Sequence, residues 1–135
     1  MKALIIEDNP SHYKTFKDGI ELAKSEFEIA QLETKQLVAD IIEKNALAHI
    51  PTDIDLFIFD VSLGNGQDEF GLELFARMLE EYNHPFNYIV VSVWDRSEFK
   101  TNVKIEDSNF INKNNYQGFE LKLKTRNVVN NLFKL

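Results

Sequence analysis

Short apolar runs alternate with longer amphipathic stretches along this chain, and that alternation limits its fold more than any other feature. Ala3-Leu4-Ile5-Ile6 is a short β-branched run of the kind that forms a buried strand. Pro10 follows an acidic pair and suits the first turn of a helix in which Tyr13, Phe16, Ile20 and Ala23 recur at helical steps. Phe27 to Leu32 alternates through Phe27, Ile29 and Gln31 and reads as a second strand. Thr34 is a candidate cap for a second helix with Leu37, Val38, Ile41 and Ile42 on its inner face. Pro51-Thr52-Asp53 marks a loop.

Leu56-Phe57-Ile58-Phe59 is a third strand that ends at Asp60. A loop through Gly64, Gly66 and Asp68 leads to Leu72, Phe75, Met78, Leu79 and Tyr82 at helical spacing, with Pro85 as the breaker. Tyr88-Ile89-Val90-Val91 is a fourth strand ending at Ser92. Residues 95–104 carry only Phe99 and Val103 as apolar anchors, and a poorly anchored helix is expected there. Phe110-Ile111 is a short fifth strand near Lys113, and Phe119 to Leu132 forms a last helix with Leu121, Thr125, Val128 and Leu132 on one face.

Five strands and five helices in alternation imply right-handed crossovers and a parallel sheet covered on both faces. The expected architecture is a doubly wound, five-stranded α/β sheet of order 2-1-3-4-5, the flavodoxin-like arrangement. With 135 residues the chain suits one domain, taken as 1–135. Zero cysteine excludes disulfides, iron–sulfur clusters and a thiol nucleophile. Fifteen Lys/Arg against 22 Asp/Glu, a net charge of −7, argues against direct nucleic-acid binding. No apolar run approaches the roughly 20 residues of a membrane span, and the N-terminus lacks a signal-peptide pattern, so the cytoplasm is the expected location. No sequence feature sets the oligomeric state.

In such a sheet ligands bind outside the carboxyl ends of the strands. Those ends carry Glu7-Asp8, Asp60, Ser92 and Lys113. Two unit charges about 4 Å apart repel by roughly 4 kcal/mol at an effective dielectric near 20, so three converging carboxylates call for a cation or a raised pKa. Oxygen-only ligands select a hard ion such as Mg²⁺, which commonly bridges carboxylates to phosphate. Lys113 and Ser92 supply positive charge and a hydrogen bond for phosphoryl oxygens. Asp60, at the end of the central strand, is the best-placed carboxylate to accept a phosphoryl group. His12, His49 and His84 have no metal-ligand spacing and read as solvated, and the Gly64/Gly66 loop lacks the ending of a P-loop.

Ile5-Ile6-Glu7-Asp8-Asn9-Pro10, Ile58-Phe59-Asp60-Val61-Ser62-Leu63, Val90-Val91-Ser92 and Phe110-Ile111-Asn112-Lys113 resemble, in order, the signature segments of receiver domains of two-component response regulators. The resemblance implies that Asp60 is the phosphoacceptor. It implies that Asp8 and Asp60 bind Mg²⁺ directly, Glu7 through water, and the Ser62 backbone carbonyl as a further ligand. By the same resemblance Lys113 pairs with the phosphoryl group, Ser92 hydrogen-bonds it, and Phe110 is an aromatic switch. The donor would be a sensor histidine kinase or a histidine phosphotransfer protein. The output would be protein contact with a downstream target, through the surface made by residues 95–104, the fifth strand and the last helix. One alternative is a pseudo-receiver, a binding module that is not phosphorylated. An aspartate-nucleophile phosphohydrolase fits poorly, because Ser62 stands where that class has a second Asp.

Three features depart from the receiver pattern. The loop from Asp60 reaches Gly71 late, Val93-Trp94 follows Ser92 where a small residue is usual, and Asn114 replaces the usual proline after Lys113. A cis bond before a non-proline residue costs about 2.5–4 kcal/mol. The Lys113-Asn114 bond is therefore expected to be trans, with a re-routed loop and Lys113 still within salt-bridge range of Asp60.

Overall fold

The computed structural model describes residues 1–30, 32–64 and 66–135. The strands are β1 (Lys2–Ile6), β2 (Glu28–Ala30), β3 (Leu56–Asp60), β4 (Asn87–Ser92) and β5 (Phe110–Asn112). The helices are α1 (Pro10–Ala23), α2 (Thr34–Ile42), α3 (Phe70–Glu81) and α4 (Phe119–Phe133). All strand pairs are parallel and the order is β2-β1-β3-β4-β5. This is the flavodoxin-like doubly wound α/β fold expected from the alternation. Gln31, assigned to the second strand from the sequence, lies outside the described residues.

Period-two alternation sends each strand's side chains to two cores. Leu4, Ile6, Phe57, Phe59 and Val90 pack on one face with Leu37 of α2 and Leu72, Phe75 and Met78 of α3. Ala3, Ile5, Leu56, Ile58, Ile89 and Val91 pack on the other with Phe16 and Ile20 of α1 and Leu121 and Val128 of α4. Every residue of β3 is buried, as befits the central strand. Each fully buried Phe, Leu or Ile contributes roughly 1.5–3 kcal/mol, so the sheet's centre is its most rigid part. On the second face α1 and α4 touch at Gly19, where a Cβ would stand 2.7 Å from Thr125 Cβ and 2.8 Å from the Lys122 carbonyl oxygen.

The structure corrects three sequence expectations. Thr34 opens α2 rather than capping it, and Glu33 in the cap position makes no side-chain capping bond. Ile42 and Leu79, expected on inner faces, are 62% and 51% exposed. Each adjoins a residue that already faces inward, Ile41 and Met78, and successive helical positions diverge by about 100°. Leu74 is buried instead. Residues 95–104 form no α-helix; they hold one 3₁₀ turn, Arg96–Glu98. Two apolar anchors in ten residues give no inner stripe, and side chains from elsewhere order the segment. Among the described residues there are thus four α-helices, and none is long and apolar enough to cross a membrane.

Candidate functional site

The carboxyl ends of β1, β3, β4 and β5 adjoin, and their terminal residues line one cavity of about 140 Å³. Glu7, Asp8, Asp60, Ser62, Ser92 and Lys113 all border it. One oxygen from each of Glu7, Asp8 and Asp60 lies within 4.8 Å of the others, so the three carboxylates could share a metal ion. Lys113 Nζ stands 3.2 Å from Asp60 Oδ1 and 3.4 Å from Glu7 Oε2. Glu7, Asp60, Ser92 and Lys113 are buried, whereas Asp8 sits exposed at the rim.

One ammonium cannot balance three carboxylates. Burial, then the nearby Asp60 charge, pushes the Glu7 carboxyl up to about 9, against the pull of Lys113. Asp60 is raised as well, by burial first, while Lys113 and a hydrogen bond from Glu7 act in the opposite direction. A proton held by Glu7 and shared toward Asp60 is therefore the site's substitute for a cation. A hard divalent ion fits the same need, because its charge would offset those of the three carboxylates.

Each side chain is aimed by local backbone chemistry. The Asn9 side chain caps α1, accepting from the N–H groups of Ser11 at 2.9 Å and His12 at 3.1 Å, while the Asn9 N–H donates to Glu7 Oε1 at 3.1 Å. This fixes the turn that carries Glu7 and Asp8. Asp60 is fixed from behind by Gly71. A Cβ on Gly71 would lie 1.7 Å from the Asp60 carbonyl oxygen, and the Gly71 N–H donates to the Val61 carbonyl at 3.0 Å. Ser92 Oγ accepts the Trp94 N–H at 2.9 Å, which leaves its own proton free to donate elsewhere.

The lysine loop has the route the sequence predicts. The Lys113-Asn114 bond is trans, and Lys113–Asn115 forms a 3₁₀ turn that keeps the ammonium on Asp60. Asn112 caps this turn, its Oδ1 accepting the Asn114 N–H at 2.9 Å while its Nδ2 donates to Asp95 at 2.9 Å. Asn114 Nδ2 donates to the Val93 carbonyl at 2.8 Å. Two amide side chains thus tie the lysine loop to the segment after Ser92. Phe110 is half-buried, with its ring 6.0 Å from that of Phe99 and the Arg96 guanidinium 5.6 Å from its centroid.

The late-arriving loop after Asp60 is gathered by one carboxylate. Asp68 accepts from the N–H groups of Leu63 and Gly64, each at 2.9 Å, from the Phe70 N–H at 3.1 Å and from Ser62 Oγ at 3.1 Å. Burial pushes its carboxyl up, but these donors outweigh that and hold it below the ordinary range. Glu69 does similar work at longer range. It accepts from the Lys100 N–H at 2.9 Å and from both the N–H and hydroxyl of Thr101 at 2.8 Å, anchoring the segment that failed to become a helix. A larger cavity of about 740 Å³ lies between these elements and shares Trp94 with the carboxylate pocket.

The histidines only partly fit the solvated reading. His49 is mostly exposed, with its Nδ1 2.7 Å from Asp40, and His84 Nε2 is 3.6 Å from Asp55. His12 is half-buried and lines the carboxylate cavity; burial, then the Lys113 charge, lowers its pKa. One signal was available, since His12 follows Asp8 by only four positions. The roles of Asn112, Asn114, Asp68 and Glu69 depend on partners whose positions only the folded chain sets.

Comparison with protein-family models, with curated proteins and with solved structures gives no match. The five-stranded parallel sheet is compatible with a receiver fold, and the acidic cluster is competent to bind a metal ion.

Proposed function

We propose that this chain is a phosphorylatable receiver that takes a phosphoryl group onto Asp60 from a phosphohistidine of a partner kinase or phosphotransfer protein. The observation that carries the reading is the meeting of Glu7, Asp8, Asp60 and Lys113 in one small cavity at the ends of the central strands. In the transfer, an Asp60 carboxylate oxygen forms a bond to phosphorus as the histidine nitrogen–phosphorus bond breaks, and the electron pair stays with the imidazole. Lys113 releases part of its hold on Asp60 and pairs with a phosphoryl oxygen, and Ser92 donates its free hydroxyl proton to another. Asp8, Asp60 and the Ser62 carbonyl, with Glu7 through water, would hold Mg²⁺, whose charge would offset that of the phosphoryl oxygens. Hydrolysis by water at phosphorus returns the Asp60 carboxylate and inorganic phosphate.

Signal output would run through the Phe110 surface. If Ser92 moves toward the phosphoryl group, Phe110 can fill the space and alter the Arg96 and Phe99 contacts. Intact-mass analysis after treatment with acetyl phosphate and Mg²⁺ tests the reading. A gain of one phosphoryl group, absent in Asp60→Asn, is expected. An unmodified wild-type chain would instead favour the pseudo-receiver, a metal- or protein-binding module on the same fold.

A further inference from the structure

We propose that the larger cavity beside the carboxylate pocket is a docking groove for a basic side chain, best an arginine, carried by the protein that delivers the phosphoryl group. The inference rests on the receiver reading and adds to it the charge of the donor segment. At about 740 Å³ the groove falls within the range of ordinary ligand pockets, about 300–1,000 Å³. Trp94 borders both cavities, and its backbone N–H donates to Ser92 Oγ at 2.9 Å. A segment gripped against Trp94 therefore lies beside the cavity that holds Asp60.

The lining sets the charge of the occupant. Among the described residues it sets three carboxylates, Glu69, Glu73 and Glu98, against one ammonium, Lys100. Glu69 is already committed, its oxygens accepting from Lys100 and Thr101. Glu73 and Glu98 are exposed, and their side chains make no hydrogen bond or ion pair with another described residue. Exposed carboxylates without partners are common; these two share one concavity with the chain's single tryptophan. Tryptophan is the best aromatic partner for a cation, and a guanidinium pairs with carboxylates and stacks on aromatic rings. A metal ion does not explain the groove. The carboxylates with mutually close oxygens are Glu7, Asp8 and Asp60, and none of the groove's is among them. A cation on a long stem suits carboxylates spread along a groove. The net charge of −7 also draws a basic partner rather than an acidic one.

The test titrates the full ¹⁵N-labelled chain at low ionic strength with two blocked peptides. One carries arginine on each side of a histidine; the other has citrulline in place of arginine, which keeps the shape and removes the charge. The arginine peptide should shift the Trp94 indole N–H and the Glu98 and Thr101 amides saturably, and bind about fivefold or more tighter than the citrulline peptide. Glu73→Gln with Glu98→Gln should bring the two peptides within about twofold of each other. Glu33→Gln with Glu43→Gln removes the same charge from exposed positions flanking α2 and should keep the preference. With the histidine phosphorylated, the arginine peptide should modify Asp60 about fivefold or more faster below saturation. Two peptides of equal affinity in wild-type protein, shifts that map away from the groove, or a preference lost equally in both double variants overturns the inference. Phosphorylation of Asp60 by acetyl phosphate judges the receiver reading separately. A groove that selects arginine in a chain that acetyl phosphate never modifies overturns that reading, and the assignment of the groove to a phosphodonor with it.

Discussion

Replacing Gly71 by alanine should damage the fold and the site together. The glycine adopts no left-handed conformation; what it needs is space, because its Cα lies directly against β3. An added Cβ would fall 1.7 Å from the Asp60 carbonyl oxygen, and real Cβ atoms essentially never approach within 3.0 Å, so at least 1.3 Å of backbone displacement is required. Neither neighbour yields cheaply. β3 is buried at every residue, and α3 is held by Leu72, Leu74, Phe75 and Met78 in the core. Overpacking of this kind costs about 1–3 kcal/mol, and loss of the Gly71–Val61 hydrogen bond adds about 0.5–1.5 kcal/mol, giving a loss of about 2–4 kcal/mol. Urea unfolding followed by Trp94 fluorescence reads this directly. Because the displaced carbonyl belongs to Asp60, phosphorylation by acetyl phosphate should also slow by about tenfold or more, since a 1 Å misplacement of a reacting group is costly. Gly19→Ala is the control. Its added Cβ meets Thr125 Cβ at 2.7 Å and the Lys122 carbonyl oxygen at 2.8 Å. These contacts are less severe than at Gly71 but still under 3.0 Å and on the α1–α4 face, so it should lose stability while Asp60 reacts as before. A Gly71→Ala protein within about 0.5 kcal/mol of wild type, the scatter of an ordinary surface change, or one with wild-type phosphorylation, would refute the reasoning.

Three further outcomes follow from the contacts around the site. Folded Glu7 binds its proton up to about pH 9 whereas an ordinary glutamate releases it near 4.5, so metal-free stability should fall as pH rises through that window. Glu7→Gln should flatten that slope, and saturating Mg²⁺ should oppose it; an unchanged slope in the variant would count against the assignment. The Glu69 carboxyl is pushed up by burial but held lower overall by its Lys100 and Thr101 donors, so its contribution is present above about pH 4.5 and is lost as pH falls through its depressed value. Glu69→Ala should cost about 1–2 kcal/mol at neutral pH, discounted for partial exposure, and speed amide exchange at Lys100 and Thr101 selectively. Asn114→Pro should destabilise by about 1–2 kcal/mol, because it removes the N–H bonded to Asn112 and the amide bonded to Val93; a stabilised variant would show that the capped turn does not hold the loop.

The strand ends were legible in the sequence because each apolar run stops abruptly at a polar residue. Parallel order then brings Glu7, Asp8, Asp60, Ser92 and Lys113 together with no further information. The trans Lys113-Asn114 bond was legible too, from the cost of the alternative. Helix faces were less so where apolar residues adjoin, as at Ile41-Ile42 and Met78-Leu79, since periodicity alone does not choose between neighbours. The segment 95–104 was misread because its order comes from Glu69, some thirty positions earlier, and not from its own pattern. His12 was missed for a related reason: its significance lies in the cavity it closes, which exists only once β1, β3 and β5 are assembled.

Asp68 gives the chain a place where length can change while the base of the loop stays closed. The carboxylate draws Ser62, Leu63, Gly64 and Phe70 to a single point, closing the excursion after β3 at its base. What protrudes beyond that closure, around Gly66 and Gln67, is exposed and does not bear on the Gly71–Asp60 contact. Doubling the length of a flexible loop costs only about 0.6 kcal/mol in closure entropy. A peptide tag or binding epitope inserted between Gly66 and Gln67 would therefore be carried at the mouth of the cavity, on a stalk already clamped, while the strand ends beneath keep their spacing.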